Sequence, residues 1–131
     1  MTGWWLPLNH RRLWFALSCA LIGAVIVGSL TPGGVPKIGH LGDKWEHALS
    51  YLVLATWFVG LAPRRTYPWI ATGLVLLGFT MEVLQYALTS DRMADARDMT
   101  ANSIGIGVGI VLAYVGLGAW AQRVESWLRR R

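Results

Sequence analysis

Four long apolar segments restrict the fold of this chain more than any other feature. They fall at about residues 13–30, 44–62, 68–88 and 100–121 and contain few charged side chains. Each is long enough to cross a hydrocarbon layer of ~30 Å as a helix, which rises ~1.5 Å per residue. A single segment satisfies its own backbone hydrogen bonds in lipid only as a helix. The four segments are therefore predicted to be transmembrane helices.

The composition favours the same class of protein. Hydrophobic residues make up 54% of the 131 residues, charged residues make up 15%, and the mean hydropathy is +0.43. A soluble domain of this length would need a more polar surface. We predict an all-α fold in which residues 1–131 form one domain, a bundle of four transmembrane helices with a polar loop at residues 89–99.

The distribution of positive charge predicts the orientation in the membrane. The net charge is +5, but the basic residues flank the apolar segments, which does not favour a nucleic-acid-binding groove. The predicted side that contains both termini has eight basic residues, and the opposite side has four. Both termini are therefore expected in the cytoplasm. The eight are Arg11, Arg12, Arg64, Arg65, Arg123, Arg129, Arg130 and Arg131; the four are Lys37, Lys44, Arg92 and Arg97.

Polar residues enter the second and third apolar segments from the predicted outer side. Asp43, Lys44, His47 and Tyr51 share about one third of the circumference of a helix. In the third segment Glu82 lies ~9 Å from the outer end of the helix. Gln85, three residues later, is on the same face.

The fourth segment adds another polar stripe at the same depth. Asp98 and Asn102 are spaced i, i+4, and Gly105 and Gly109 continue the stripe as a smooth face for helix packing. An ionisable group at membrane depth must find a partner, and Glu82 is expected to pair with Lys44 or His47. We predict that these polar residues and Arg92 line one pocket open to the outside.

Simpler structural roles compete with this interpretation. Asp43 and Glu46 match a capping box with Asp43 as the N-cap of the second helix, and Asp98 or Thr100 could cap the fourth. Lys44 could extend to the membrane interface, and His47 could serve only as a structural hydrogen-bonding group. No metal or other cofactor is assigned, because His47 is the only embedded histidine and a metal needs three or four converging ligands.

Three sequence motifs resemble those of VanZ-like membrane proteins. "DKWEHALSY" resembles the D-K-x-x-H-x-x-x-Y signature of that family, "MEVLQ" its E-x-x-Q, and "RMADARDMTANSIG" its R-x5-D-x3-N-x2-G segment. The resemblance implies a small helical protein of the bacterial plasma (inner) membrane. The family is named for a member linked to teicoplanin resistance, and the resemblance implies no particular reaction.

Three functions remain open at this point. The first is binding of an envelope lipid or a lipid-linked cell-wall precursor, with phosphate held by Lys44 and Arg92. The second is an intramembrane enzyme that acts on a lipid head group with an acid/base or metal-assisted set, although no nucleophile is evident. The set consists of Asp43, His47, Glu82 and Asp98. The third is a structural or assembly role without a ligand. Membrane lipids are the expected partners, nucleic acid is not, and a homo-oligomer is compatible with the sequence.

Overall fold

The computed structural model describes residues 3–31, 42–88 and 95–131, with the side chain of Asp43 excepted. Every regular element in these ranges is helical. The elements are α1 (Arg11–Leu30), α2 (Asp43–Leu61), a 3₁₀ turn (Arg64–Thr66), α3 (Tyr67–Leu88), α4 (Ala96–Leu112), a π-helical turn (Ala113–Leu117) and α5 (Trp120–Leu128). The predicted all-α class is confirmed for the described residues.

Three helical segments of the described chain are long and apolar enough to cross a membrane. They are Arg11–Leu30, Arg64–Leu88 and Ala96–Leu117. The second predicted span, α2, is not among them. Its first turn carries Lys44 and Glu46 directly after Asp43, and these charges lower the mean hydropathy of a helix of only 19 residues.

The bundle places apolar side chains outside and several polar side chains inside. Phe15, Val27 and Val115 are 61%, 66% and 74% exposed, whereas Glu82 and Asn102 are only 5% and 1% exposed. Large exposed apolar surfaces are costly in water and suit hydrocarbon. This distribution agrees with a membrane environment for the three long helices.

Helix α2 lies at the centre of the bundle. Leu54, Ala55 and Val59 in its second half are completely buried, and α2 contacts all four other α-helices. Its longest contact is with α4. At this contact a Cβ atom on Gly105 would overlap the backbone of Ala48. The absence of a side chain at Gly105 therefore allows the two helices to lie backbone against backbone.

Two predicted helix caps are wrong. Gly42 occupies the N-cap position of α2, so Asp43 is its first helical residue, and Glu46 Oε1 has no hydrogen-bond partner in the described part of the chain.

Helix α4 begins at Ala96, four residues before the predicted start. Its N-cap is Asp95, whose Oδ1 accepts a hydrogen bond from the backbone N–H of Arg97 at 2.8 Å. A carboxylate in this position satisfies one of the free N–H groups of the first turn.

The fourth predicted helix is also too long at its C-terminal end. Instead of continuing to residue 121, the helix passes into the π-helical turn Ala113–Leu117, breaks at Gly116, and is followed by a separate amphipathic helix, α5. Gly116 has φ +140°, which side chains rarely allow, and Ala119 is left-handed with φ 55°. The backbone N–H of Ala119 then bonds to the carbonyl of Val59 in α2 at 3.4 Å, which fixes the turn.

The contact at Gly105 generates the first prediction. Gly105→Ala should force α4 away from α2 and lower stability by about 1–3 kcal/mol, the usual cost of overpacking. Gly107→Ala is the matched control, since nothing lies within 4 Å of its added Cβ. It should leave stability unchanged or raise it by up to ~1 kcal/mol through helix propensity. Thermal unfolding in detergent would measure both, and equal melting temperatures would contradict the close contact.

Candidate functional site

Three helices bring titratable side chains together at one place in the bundle. His47 comes from α2, Glu82 from α3 and Asp98 from α4. One potential ligand atom from each of these residues lies within 4.8 Å of the other two. Asn102, one turn after Asp98, extends the same group on α4. We call these four residues the polar cluster.

The imidazole of His47 has a distinct neighbour at each nitrogen. Nδ1 lies 3.2 Å from Oδ1 of Asn102, and Nε2 lies 3.7 Å from Oδ2 of Asp98. An amide oxygen can only accept a hydrogen bond, so this contact makes Nδ1 the donor. In the neutral ring Nε2 then presents its lone pair towards Asp98.

Glu82 is the most buried charged group of the cluster. Its Oε2 accepts a long hydrogen bond of 3.4 Å from the backbone N–H of Asp95. Its Oε1 is buried and has no hydrogen-bond partner among the described residues. The hydroxyl of Tyr51, only 2% exposed, also lacks a partner within that part of the chain. Polar atoms buried in this way are costly unless something satisfies them.

The cluster favours positively charged species. Two carboxylates and one imidazole converge in a partly enclosed site, and the low effective dielectric strengthens their interaction with a cation or proton. His47 and Asp98 have side chains that are 12% and 19% exposed, so the site is reachable from outside. Such a group can bind a cation, accept or donate protons, or bind a ligand that has hydrogen-bond donors.

Two of the residues predicted to line the pocket have neighbours outside the polar cluster. Lys44 is exposed and lies in a different groove, and Gln85 donates to the carbonyl of Ser29 in α1 at 2.8 Å. Of the two expected partners of Glu82, His47 lies beside it in the polar cluster. Arg92 and the side chain of Asp43 lie outside the described residues.

A second feature is a largely apolar groove of about 390 Å³ between α2 and α4, with two basic residues in its lining. Lys44 and Arg97 provide its positive charge, Trp45 lies beside them, and small or apolar side chains form the remainder. Arg97 and Trp45 were not among the predicted site residues. The spacing of Arg97, Ala101 and Ile104 along one side of α4 is a signal that could have identified this face. The full lining is Lys44, Trp45, Ala48, Arg97, Thr100, Ala101 and Ile104.

A buried carboxylate that the sequence analysis also missed lies at the end of the bundle where α1 begins. Glu125 of α5 accepts four hydrogen bonds: from the backbone N–H of Asn9 and His10, from the Asn9 amide, and from the indole of Trp14, all at 2.8–3.0 Å. Asn9 and His10 immediately precede α1, where a negative charge complements the helix dipole. Glu125 therefore joins the C-terminal helix to the start of the first.

The hydrogen bonds control the ionisation of Glu125. Burial alone would raise the pKa of its carboxyl group, but hydrogen bonds from Asn9, His10 and Trp14 outweigh burial and lower the pKa from 4.5 to about 2. The carboxylate form therefore stabilises the folded protein at neutral pH.

Comparisons with known proteins leave the family open. No family model, curated protein or solved structure matches the chain. The resemblance to VanZ-like proteins accordingly stays an interpretation of the three motifs.

The interactions of Glu125 generate the second prediction. Glu125→Gln keeps the side-chain size but loses the charge and one acceptor, so it should lower stability at neutral pH by about 1–3 kcal/mol. The native carboxylate contributes stability above pH 4.5 and loses it as the pH falls towards about 2. Melting temperatures of both proteins should therefore converge over that range. A constant difference between them would contradict the assigned role of the charge.

Proposed function

We propose that this chain is a VanZ-like protein of the bacterial plasma membrane that binds the phosphate-bearing head group of an envelope lipid. The observation that supports this proposal best is the groove between α2 and α4. It combines two basic side chains, Lys44 and Arg97, with an indole and an apolar floor. Phosphate favours Lys and Arg, and the apolar floor suits the first part of a lipid chain.

The proposal includes α2 as the fourth membrane-spanning helix. Its 19 residues rise about 28 Å, close to the thickness of the hydrocarbon core. Its charged first turn can lie at the membrane interface, where Lys44 and Trp45 are favourable. The second half of α2 is buried among the other helices and has little contact with lipid. The helix as a whole therefore does not need a wholly apolar surface.

The orientation with both termini in the cytoplasm has support from contacts at one end of the bundle. Leu6 donates its N–H to the carbonyl of Leu61, Arg65 donates to the carbonyl of Gly3, and Glu125 accepts from Asn9. These contacts gather the N-terminal residues, the α2–α3 turn and α5, which hold most of the arginines. The positive-inside rule favours the cytoplasm for that end.

The VanZ-like resemblance has support from the position of the motif residues. His47, Glu82 and Asp98 each belong to a different one of the three motifs and meet in the polar cluster. Gly105, the last residue of the third motif, makes the close contact that positions α4 on α2. Residues that are distant in sequence therefore share one structural unit.

The polar cluster favours a second candidate, an intramembrane enzyme that acts on a lipid head group. His47, Glu82 and Asp98 are all capable of proton transfer and are adjacent. The groove and the cluster both use the outer halves of α2 and α4, so a head group in the groove would lie near the cluster.

The groove generates the third prediction. Purified protein should retain a polyprenyl phosphate in native mass spectra recorded after release from gentle detergent. Lys44→Ala and Arg97→Ala should each weaken retention about fivefold, because one basic residue near a membrane contributes about 1 kcal/mol to binding of anionic lipid.

Arg123→Ala provides the control, since it removes an exposed arginine of α5, at the opposite end of the bundle. It should leave lipid retention unchanged. Equal loss in all three variants would indicate nonspecific attraction of anionic lipid and would contradict a binding site in the groove. Retention of the corresponding polyprenol, which lacks the phosphate, to the same extent would contradict recognition of phosphate.

A further inference from the structure

The donor atoms of the polar cluster match those of a metal centre. His47 supplies a ring nitrogen, and Glu82 and Asp98 each supply a carboxylate oxygen, all within 4.8 Å of one another. We propose that these three residues bind a divalent first-row transition ion such as Zn²⁺. The inference does not rest on lipid binding, because none of the three residues lines the groove.

The separations between the donor atoms require only small adjustments. Ligand atoms around a tetrahedral Zn²⁺ with bonds of about 2.0–2.1 Å lie about 3.3 Å apart. Nε2 of His47 and Oδ2 of Asp98 are 3.7 Å apart, and Glu82 completes the group within 4.8 Å. Side-chain movements of about 1 Å would bring all three into coordination. No metal was assigned from the sequence because three converging ligands were not expected. In the structure three ligand atoms do converge.

The buried carboxylate of Glu82 supplies independent support for a cation. Only 5% of Glu82 is exposed. Its Oε1 has no hydrogen-bond partner in the part of the chain that the structure describes. Protonation of His47 would provide a donor for Asp98 but would leave Oε1 of Glu82 unsatisfied. A divalent ion balances both carboxylates at once and also accepts the lone pair of His47.

Asn102 provides the outer support that metal-binding histidines commonly have. Its Oδ1 accepts from Nδ1 of His47 at 3.2 Å, which orients the ring and leaves Nε2 free to coordinate. Asn102 is itself 1% exposed, and a Cβ on Gly78 would lie only 3.1 Å from its Nδ2. Its orientation is therefore held by close packing.

The donor set and the exposure of the site indicate the kind of ion. Imidazole suits Zn²⁺ and its neighbours in the first transition row, and carboxylates are also good ligands for them. Mg²⁺ prefers oxygen ligands and retains its water, so it fits a site with a histidine less well. Three protein ligands leave at least one position for water or a ligand oxygen, which the partial exposure of His47 and Asp98 allows.

Metal titration of the intact protein tests the inference. Tag-free protein in detergent would be stripped with a chelator, exchanged into chelator-free buffer, and titrated with Zn²⁺ by calorimetry and with Co²⁺ by visible absorption. We expect one equivalent to bind, with Co²⁺ bands typical of a site that contains nitrogen and oxygen ligands. Asp98→Asn and His47→Gln should weaken the affinity at least tenfold, and Asn102→Ala should weaken it about 10–100-fold.

Two controls distinguish metal binding at the polar cluster from metal binding elsewhere in the protein. Glu125→Gln removes a buried carboxylate in another part of the bundle and should bind Zn²⁺ as the native protein does. Lys44→Ala and Arg97→Ala should also retain metal binding, so failure of the lipid proposal would not be confused with failure of this one.

Two results would overturn the inference. One is the absence of saturable Zn²⁺ and Co²⁺ binding by the native protein, which does not depend on the folding of any variant. The other is one equivalent bound with native affinity in the cluster variants, which would locate the metal elsewhere.

Discussion

Gly105 lets α4 lie directly against the backbone of α2, and the polar parts of the molecule depend on this contact. A side chain at this position would overlap Ala48 and separate the two helices. With the helices in contact, His47 reaches Asp98 and Asn102. The same contact forms the groove with Lys44 and Arg97. One packing interaction thus positions both candidate sites.

The environment of the bundle makes the polar cluster energetically unusual. Hydrocarbon cannot hydrogen-bond, so a carboxylate among membrane helices must find its partners within the protein or in a bound ligand. Glu125 illustrates the fully satisfied case, with four donors around one carboxylate. Glu82 has one long hydrogen bond and one oxygen without a partner among the described residues. The contrast indicates that Glu125 has a structural role and that Glu82 is available to bind something.

Sequence patterns could predict the long helices and name all four residues of the polar cluster, but not the groove or the bonds of Glu125. Apolar length located the helices, and the cost of charge in a membrane singled out Glu82 and His47. Helical spacing gives the face of a residue and not the rotation of one helix relative to another, so it did not reveal that Lys44 lines a groove with Arg97. Glu125 was missed because its donors lie more than 110 residues away in sequence. The break before α5 depends on backbone angles at Gly116 and Ala119 that composition does not reveal.

Glu82 lies in the polar cluster for binding and not for stability. Thermal unfolding of the native protein and Glu82→Gln, each with excess chelator and then with Zn²⁺, tests it most directly. The amide removes one of two facing negative charges, so the chelated variant should melt at the same temperature as the native protein or higher. Zn²⁺ should then stabilise the native protein and leave the variant unchanged. A chelated variant that melts well below the native protein, with no response of either to Zn²⁺, would show that Glu82 only holds the helices together.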